Sequence, residues 1–342
     1  MKPRKVWYLF VAGIAIYIVL LLTSLNLGKV QVNIGDMFII FGEKLGLAEG
    51  MDDALASQKL TVFWDVRLSR CLLASLVGAA LSVAGAVMQT LYRNPLASPD
   101  ILGVTQGANL GAGVAIFFFS ASTLGIQITA FLFGLASLLL TFMIVSRLRG
   151  SSVTALILIG VVFSAVFQAG LTLLMYLSDP YAQMVRINFW LWGAFNTANW
   201  NNVTINAPII ISGILVLSIF SWRLNILGQS DEEAQALGVN IKLWRLFYIF
   251  FVALIVSVGT ATVGNIAWVG LMIPHISRAI IGTNQRQVVP FSAICGAVFI
   301  LGIDTIVRNF QTGEVPISVI TSIVVGPFII VMILSKNRRG EL

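Results

Sequence analysis

Two uncharged stretches on either side of a proline-containing segment constrain the fold more than any other feature of this chain. The segment 93–100 reads Arg-Asn-Pro-Leu-Ala-Ser-Pro-Asp. The 22 residues 71–92 before it and the 46 residues 101–146 after it contain no charged side chain. Because a helix needs about 20 apolar residues to cross a bilayer, these stretches predict an integral membrane protein.

The segment 93–100 must interrupt the helical pattern. Its two prolines forbid a continuous helix, so the backbone is expected to break near a membrane surface. Broken backbone at membrane depth is tolerated only where protein or a water-filled path satisfies its polar groups. We therefore expect this segment to lie against other helices or beside such a path.

Composition supports a membrane protein over the whole chain. Of the 342 residues, 58% are hydrophobic and 10% are charged, whereas soluble domains carry about 25% charged residues. The hydropathy pattern predicts an all-α integral membrane protein with one domain over 1–342 and about ten transmembrane helices. The predicted spans are 6–25, 71–92, 101–119, 124–146, 152–177, 203–222, 244–263, 266–281, 288–306 and 316–335.

Two of these predictions needed a choice between alternatives. The apolar run that follows Met-Lys-Pro-Arg-Lys imitates a signal peptide, but it is too long and lacks a nearby cleavage pattern, so we expect an uncleaved first helix. The stretch 246–277 has no Lys, Arg, Asp or Glu and is too long for one span. The turn residues Gly264-Asn265 predict a split there, and Pro274 predicts that the second piece is short and irregular.

The distribution of basic residues predicts the topology. Ten spans place both termini on one side of the membrane, and cytoplasmic termini put 14 of the 21 Lys and Arg residues on the inside. The net charge of +7 is then a result of topology, so no nucleic-acid partner is needed to explain it. The prediction is a multi-pass protein of the cell membrane with both termini cytoplasmic.

Three segments outside the spans carry patterns of their own. The outer loop 26–70 is charged, and the outer loop 178–202 contains tryptophans that suit an interfacial helix. In the inner loop 223–243, Ser230 and Glu233 predict a capping box, and Gly238 predicts the end of a short helix. This helix is either a plain connector or a docking element for a cytoplasmic partner.

Several kinds of chemistry have no motif here. The sequence has no phosphate-binding loop, no His-Glu-x-x-His, no Cys-x-x-Cys and no Gly-x-Ser-x-Gly. Neither a cofactor nor a metal ligand set is predicted, and the protein is not expected to be an enzyme. Asp304 is the one carboxylate predicted within a span, and a structural ion pair with Arg308, one turn later, is expected. This scarcity argues against a proton-coupled carrier.

Three ordered blocks of sequence resemble the FecCD-type permeases. The first block is 78–89 (Gly-Ala-Ala-Leu-Ser-Val-Ala-Gly-Ala-Val-Met-Gln) together with 93–99. The second block is 264–278, which ends in Pro-His-Ile-Ser-Arg. The third block consists of Asp304-x-x-x-Arg308, Glu314-Val315-Pro316 and Gly326-Pro327-Phe328. Members of this family are the membrane subunits of bacterial ABC importers for ferric siderophores, haem and vitamin B12. The similarity extends from about residue 60 to residue 335.

The resemblance implies a type II ABC importer permease that moves an iron chelate into the cytoplasm. A ferric siderophore is the first expectation for that chelate. Haem and vitamin B12 are the alternative cargoes. Its partners would be a second permease subunit (identical or not), two cytoplasmic ATP-binding subunits and an extracytoplasmic substrate-binding protein or lipoprotein. The competing hypothesis is a secondary transporter or channel that acts alone, for which intramembrane coupling residues are nearly missing. A membrane-embedded enzyme is the third hypothesis for the function.

Site residues follow from the resemblance by position. Docking of the binding protein is assigned to the outer arginines, Arg67, Arg70 and Arg308, although Ser69 stands where the family usually has proline. Coupling to the ATPase is assigned to the inner helix, at Glu233, Ala234, Leu237 and Gly238. The cytoplasmic gate of the translocation path is assigned to Asn94 and Leu96.

Overall fold

The computed structural model describes residues 3–28, 30, 32–44, 58–99, 103–147, 153–310 and 315–338. Within these ranges the regular structure is helical and no β-strand occurs. The α-helices are α1 (Pro3–Asn26), α2 (Ile34–Lys44), α3 (Ser69–Leu91), α4 (Val104–Phe119), α5 (Thr123–Arg147), α6 (Val153–Leu177), α7 (Gln183–Leu191), α8 (Trp200–Ile219), α9 (Ser221–Leu227), α10 (Asp231–Ala236), α11 (Ile241–Val263), α12 (Val269–Ile281), α13 (Gln285–Arg308) and α14 (Ile317–Arg338).

The helices that are apolar enough to cross a membrane match the predicted spans. Seven helical segments of the described residues have both the length and the composition to do so, and α4, α12 and Ile317–Met332 of α14 are shorter apolar helices. Together these ten coincide with the ten predicted spans. The prediction of an all-α membrane fold is therefore confirmed.

Helix α3 lies at the centre of the molecule. It packs against α8, α11, α12 and α13, and nearly all of its side chains are buried. Glycines allow two of these contacts, because a Cβ atom on Gly78 would lie 2.2 Å from the Gly296 carbonyl oxygen and one on Gly85 would lie 1.7 Å from the Gly270 oxygen. Small residues let membrane helices approach closely, so this glycine pattern sets the position of α12 and α13.

The chain breaks at two places that meet inside the molecule. The first break follows α3 and ends at Gly103 (φ +77°), where α4 begins. The second break follows α11 and ends at Trp268 (φ +73°), where α12 begins. A Cβ atom on Gly270 would lie 3.2 Å from Pro99 Cδ, so the start of α12 packs against the first break. Residues of both breaks line one cavity of about 300 Å³.

The predicted split of 246–277 is confirmed, but the irregularity is at a different place. Helix α12 begins at Val269 instead of residue 266, and Pro274 lies inside it without ending it. The irregular backbone lies before α12. There, Ser318 Oγ donates to the Asn265 carbonyl oxygen at 2.6 Å, which meets the hydrogen-bonding requirement of broken backbone at depth.

The outer loop 26–70 is more helical than predicted. It contains α2, and a π-helix at Thr61–Leu68 continues directly into α3, so the second span begins at Gln58. Ser69 makes this continuity possible, because it has a backbone N–H and its hydroxyl donates to the Asp65 carbonyl oxygen. Residues 45–57 of this loop are outside the described residues, as are Asp100 and Glu314.

Candidate functional site

The short inner helix α10 forms as the sequence predicts. Ser230 Oγ accepts a hydrogen bond from Glu233 N at 3.2 Å, and Glu233 Oε2 accepts one from Ser230 N at 3.1 Å, which completes the capping box. Gly238 adopts φ +74° after the helix ends, and its N–H donates to the Gln235 carbonyl oxygen at 2.8 Å. The prediction of a capped helix ended by Gly238 is confirmed.

Ala234 in α10 and Leu237, the residue directly after α10, differ in exposure. Ala234 is 1% exposed and belongs to the main buried core of this chain, whereas Leu237 is 66% exposed. Of these two predicted coupling residues, Ala234 packs inward and its methyl group is not accessible to a partner. Leu237, directly after α10, is the large apolar side chain that this segment exposes, and its docking role stays a prediction.

Asp231 fixes the start of α10 to the rest of the protein. Its Oδ1 accepts hydrogen bonds from Arg93 Nη2 and, at 2.7 Å, from Arg245 Nη2. Partial burial alone would raise the pKa of Asp231, but the two arginine hydrogen bonds outweigh it and hold that pKa below its usual range. The three residues link α10 to the segment after α3 and to α11.

The two predicted gate residues lie next to each other on an exposed turn. Asn94 Oδ1 accepts from Leu96 N at 2.9 Å, and Asn94 N donates to the Gln89 carbonyl oxygen at 3.1 Å. The Leu96 side chain is 51% exposed. Asn94 lines a cavity of about 600 Å³, whereas Leu96 is not part of its wall. The gate role of this pair stays a prediction.

That cavity lies where the ends of α3, α9 and α12 meet the start of α13. Its wall includes Arg93, His275 and Arg278. The guanidinium group of Arg278 donates to Gln89 Oε1 and, at 3.3 Å, to the Ala86 carbonyl oxygen. The sequence offered a signal for this residue in the Pro-His-Ile-Ser-Arg block, but no role was assigned to it.

Arg67 is buried instead of exposed. Its side chain is 4% exposed, and its guanidinium group donates to the carbonyl oxygens of Leu25 (2.8 Å), Asn26 (3.1 Å) and Val30 (2.6 Å). The last carbonyl groups of a helix have no partner within the helix, so Arg67 satisfies the end of α1. The expectation of a surface position is wrong for Arg67.

Arg70 is also buried, and it changes the predicted ion pairing. Its side chain is 5% exposed and forms a salt bridge of 2.7 Å with Asp304, which is fully buried. Arg308 is half-buried and donates to the Ser24 carbonyl oxygen. The predicted pair of Asp304 with Arg308 is therefore wrong, because Arg70 reaches the carboxylate from α3. Docking by these arginines stays a prediction.

Comparison with known proteins places the chain in a family. Residues 16–335 match the model of the FecCD transport family. The molybdate import system permease protein MolB of Haemophilus influenzae is 39% identical over 280 residues, which cover 82% of each chain. The hemin transport system permease protein HmuU of Yersinia pestis is 33% identical over 284 residues, which cover 81% of this chain and 84% of HmuU.

A solved structure agrees over almost the full length. An inward-facing conformation of a metal-chelate type ABC transporter superposes with a TM-score of 0.85 at 33% identity and covers 98% of this chain and 100% of the other. The overall fold of this chain is thus that of a known ABC transporter. The chain belongs to the FecCD transport family and is a multi-pass permease, the membrane-spanning transport subunit of an ABC importer.

Proposed function

We propose that this permease moves an iron chelate, in the first place a ferric siderophore, into the bacterial cytoplasm. The observation that carries the proposal is the family match over residues 16–335. Support for the cargo comes from a relative named as the Fe(3+)-citrate import system permease protein YfmD of Bacillus subtilis, which is 32% identical over 89% of this chain. HmuU and the cobalamin import system permease protein BtuC of Halobacterium salinarum, which is 30% identical over 80% of this chain, support haem and vitamin B12 as alternative cargoes.

The energy for import comes from partners. In this proposal two permease subunits, identical or paralogous, share a central path, and two cytoplasmic ATP-binding subunits hydrolyse ATP. Both termini lie in the cytoplasm of a cell whose inner membrane holds the complex. This orientation places α10 on the side of the ATP-binding subunits, where its exposed Leu237 suits an apolar groove.

The inner helix transmits the motion of the ATPase to the path. Glu233 shapes the start of α10, Leu237 enters the partner, and Gly238 provides the turn that follows. Because Asp231 joins this helix to Arg93, a shift of α10 pulls directly on the segment that holds Asn94 and Leu96. ATP binding shifts the population of open gates only through contacts that differ between the two states.

The binding protein docks on the outer face. Among the three predicted docking arginines, Arg308 is half-buried while Arg67 and Arg70 are buried, so we place the direct contact at Arg308. Arg67 and Arg70 support that surface from below, because they fix the end of α1 and join α3 to α13.

A second cargo is favoured by one specific observation. MolB, a molybdate import permease by name, shares 39% identity with this chain over 82% of its length. Molybdate is a small oxyanion, so it would need less room in the path than a siderophore. The same membrane architecture would serve both cargoes.

Uptake by whole cells separates these proposals. Cells that produce the permease with its ATP-binding and binding-protein partners are compared with cells that lack only the permease. Uptake of ⁵⁵Fe as siderophore, citrate complex or haem is measured beside uptake of ⁹⁹Mo-molybdate. Iron uptake that depends on the permease supports the first proposal, and molybdate uptake alone replaces it with the second. Transport by the purified permease in liposomes without ATP would overturn both in favour of a secondary transporter.

A further inference from the structure

The cavity of about 600 Å³ at the cytoplasmic end of α3 carries an unusual balance of charge. Its described wall includes Arg93, His275 and Arg278 together with five amide side chains, and no Asp or Glu residue forms part of that wall. The volume lies in the range of small-molecule sites, about 300–1,000 Å³. A wall of this kind favours a negatively charged occupant.

Arg278 is the strongest feature of this wall. It is half-buried, and it donates to two neutral acceptors, the side-chain oxygen of Gln89 and the Ala86 carbonyl oxygen. Within the described residues no carboxylate lies within salt-bridge distance of it. Partial burial without a counter-charge costs a cation free energy, so an anion that enters the cavity gains a favourable partner.

Gln89 holds that cation in place. Its Nε2 donates to the carbonyl oxygens of Leu271 (3.0 Å) and Gly270 (3.3 Å), which directs its oxygen toward Arg278. Gln89 is 3% exposed and sits on the central helix α3. The guanidinium group is therefore positioned before any ligand binds, and such preorganisation lowers the cost of binding.

Arg93 connects the cavity with the docking helix. It lines the cavity and also donates to Asp231, the first residue of α10. An anion in the cavity competes with Asp231 for this arginine. Occupancy of the cavity and the position of α10 are then linked, and such linkage acts in both directions.

We propose that this cavity is an anion-binding site that holds an oxyanion or carboxylate group of the cargo before its release into the cytoplasm. The inference rests on the proposed transport function. Both cargo classes named above fit, because molybdate is an oxyanion and a ferric citrate complex carries carboxylates. Arg278 supplies the fixed positive charge, and Arg93 links occupancy of the cavity to the position of α10.

Equilibrium binding to the full-length permease in phosphatidylcholine nanodiscs tests the site. The probes are ⁹⁹Mo-molybdate and ferric ¹⁴C-citrate at low ionic strength. We expect saturable binding to the wild type. Arg278→Gln should lower the affinity by about tenfold or more, the equivalent of one charge-assisted hydrogen bond, whereas Arg278→Lys should stay within about threefold. Arg186→Gln is the matched control, because Arg186 lines a separate cavity of about 200 Å³ and donates to the Ala121 carbonyl oxygen.

A second variant covers the case in which Arg278→Gln fails to fold. Gln89→Glu keeps the arginine and gives it a carboxylate partner, at the loss of the two hydrogen bonds that Gln89 Nε2 donates, and it should weaken anion binding as strongly. Absence of saturable binding to the wild type would overturn the proposal, and so would equal losses in Arg186→Gln and Arg278→Gln. If phosphatidylglycerol in the nanodiscs abolishes binding, the occupant is a lipid headgroup and the assignment to cargo fails.

The binding assay and the uptake assay distinguish failure of the proposed site from failure of the proposed function. Saturable anion binding that depends on Arg278, without uptake of iron or molybdate, would leave the site standing and remove the proposed cargo. Uptake of either cargo by wild-type cells, without anion binding in nanodiscs, would leave the proposed function standing and remove the site.

Discussion

Arg70 and Asp304, which are 234 residues apart in the sequence, form a bidentate ion pair in the interior. Arg70 Nη2 lies 2.7 Å and Nε 2.9 Å from Asp304 Oδ1, and Nε also lies 3.1 Å from Oδ2. The pair joins α3 to α13 near the ends of both helices. Planar guanidinium groups match carboxylates in this way, so the pair fixes the relative rotation of the two helices.

Breaking this pair on one side should destabilise the protein strongly. Arg70→Met leaves Asp304 buried without a counter-charge, and the expected loss in the free energy of unfolding is about 3–5 kcal/mol. Thermal unfolding of the purified permease in detergent measures it. The double variant Arg70→Met/Asp304→Leu should recover most of the loss, because it removes both charges. A double variant as unstable as the single one would contradict this explanation.

The exposed end of α10 should control association with the ATP-binding subunit. Leu237→Asp puts a charge where an apolar contact is expected, so co-purification of the ATPase and ATP-dependent uptake should both fall by at least about tenfold. Leu243→Asp is the control, because Leu243 is 59% exposed at the start of α11 and outside the docking helix. Equal losses for both variants would show that any added charge at this end of the protein is disruptive.

Coupling to the ATPase should require glycine at position 238, in the turn after α10. Gly238 has φ +74° with open space around it, so Gly238→Arg adds about 1–2 kcal/mol of backbone strain and a charge at the docking surface. Uptake should be abolished while the protein remains inserted at normal levels. Gly282→Arg is the control for an arginine at another open glycine with positive φ, and its backbone (φ +93°, ψ −169°) lies in a region that only glycine adopts readily. Normal uptake in Gly238→Arg would remove the coupling role.

The pKa of Asp231 gives the inner loop a defined dependence on pH. Because this pKa is lowered in the folded protein, the ion pairs contribute stability above the unfolded value of about 3.9 and lose it as the pH falls through the lowered value. Hydrogen exchange of residues 230–240 should therefore stay slow from neutral pH to about pH 5 and accelerate below about pH 4, after correction for intrinsic rates. In Asp231→Asn the acceleration should disappear, and its persistence would assign the change to another group.

The sequence predicted those parts of the molecule that depend on local signals. Uncharged stretches gave the ten spans, because the requirement for apolar length is local. The capping box at Ser230 and Glu233 gave α10 for the same reason. The glycine turn at Gly264 likewise indicated the second break.

The parts that were missed depend on contacts between distant segments. Arg67 and Arg70 read as surface charges in the sequence, and only the packing of α1 and α13 around them makes them buried. The spacing of Asp304 and Arg308 indicated a pair within one helix, but Arg70 of α3 forms the ion pair with Asp304 instead. Arg278 carried no assigned role, since the lack of a carboxylate beside it among the described residues is visible only with the neighbours in place.

The two breaks have a mechanical consequence for the transport cycle. At 1.5 Å per residue, the 16 residues of α4 and the 13 residues of α12 are about 24 Å and 20 Å long, shorter than the bilayer core of about 30 Å. Helix α12 is preceded by the non-helical residues 264–267, and it begins directly after the left-handed Trp268. A short helix joined in this way can tilt by a change of backbone angles in the connecting segment, so no spanning helix has to unwind.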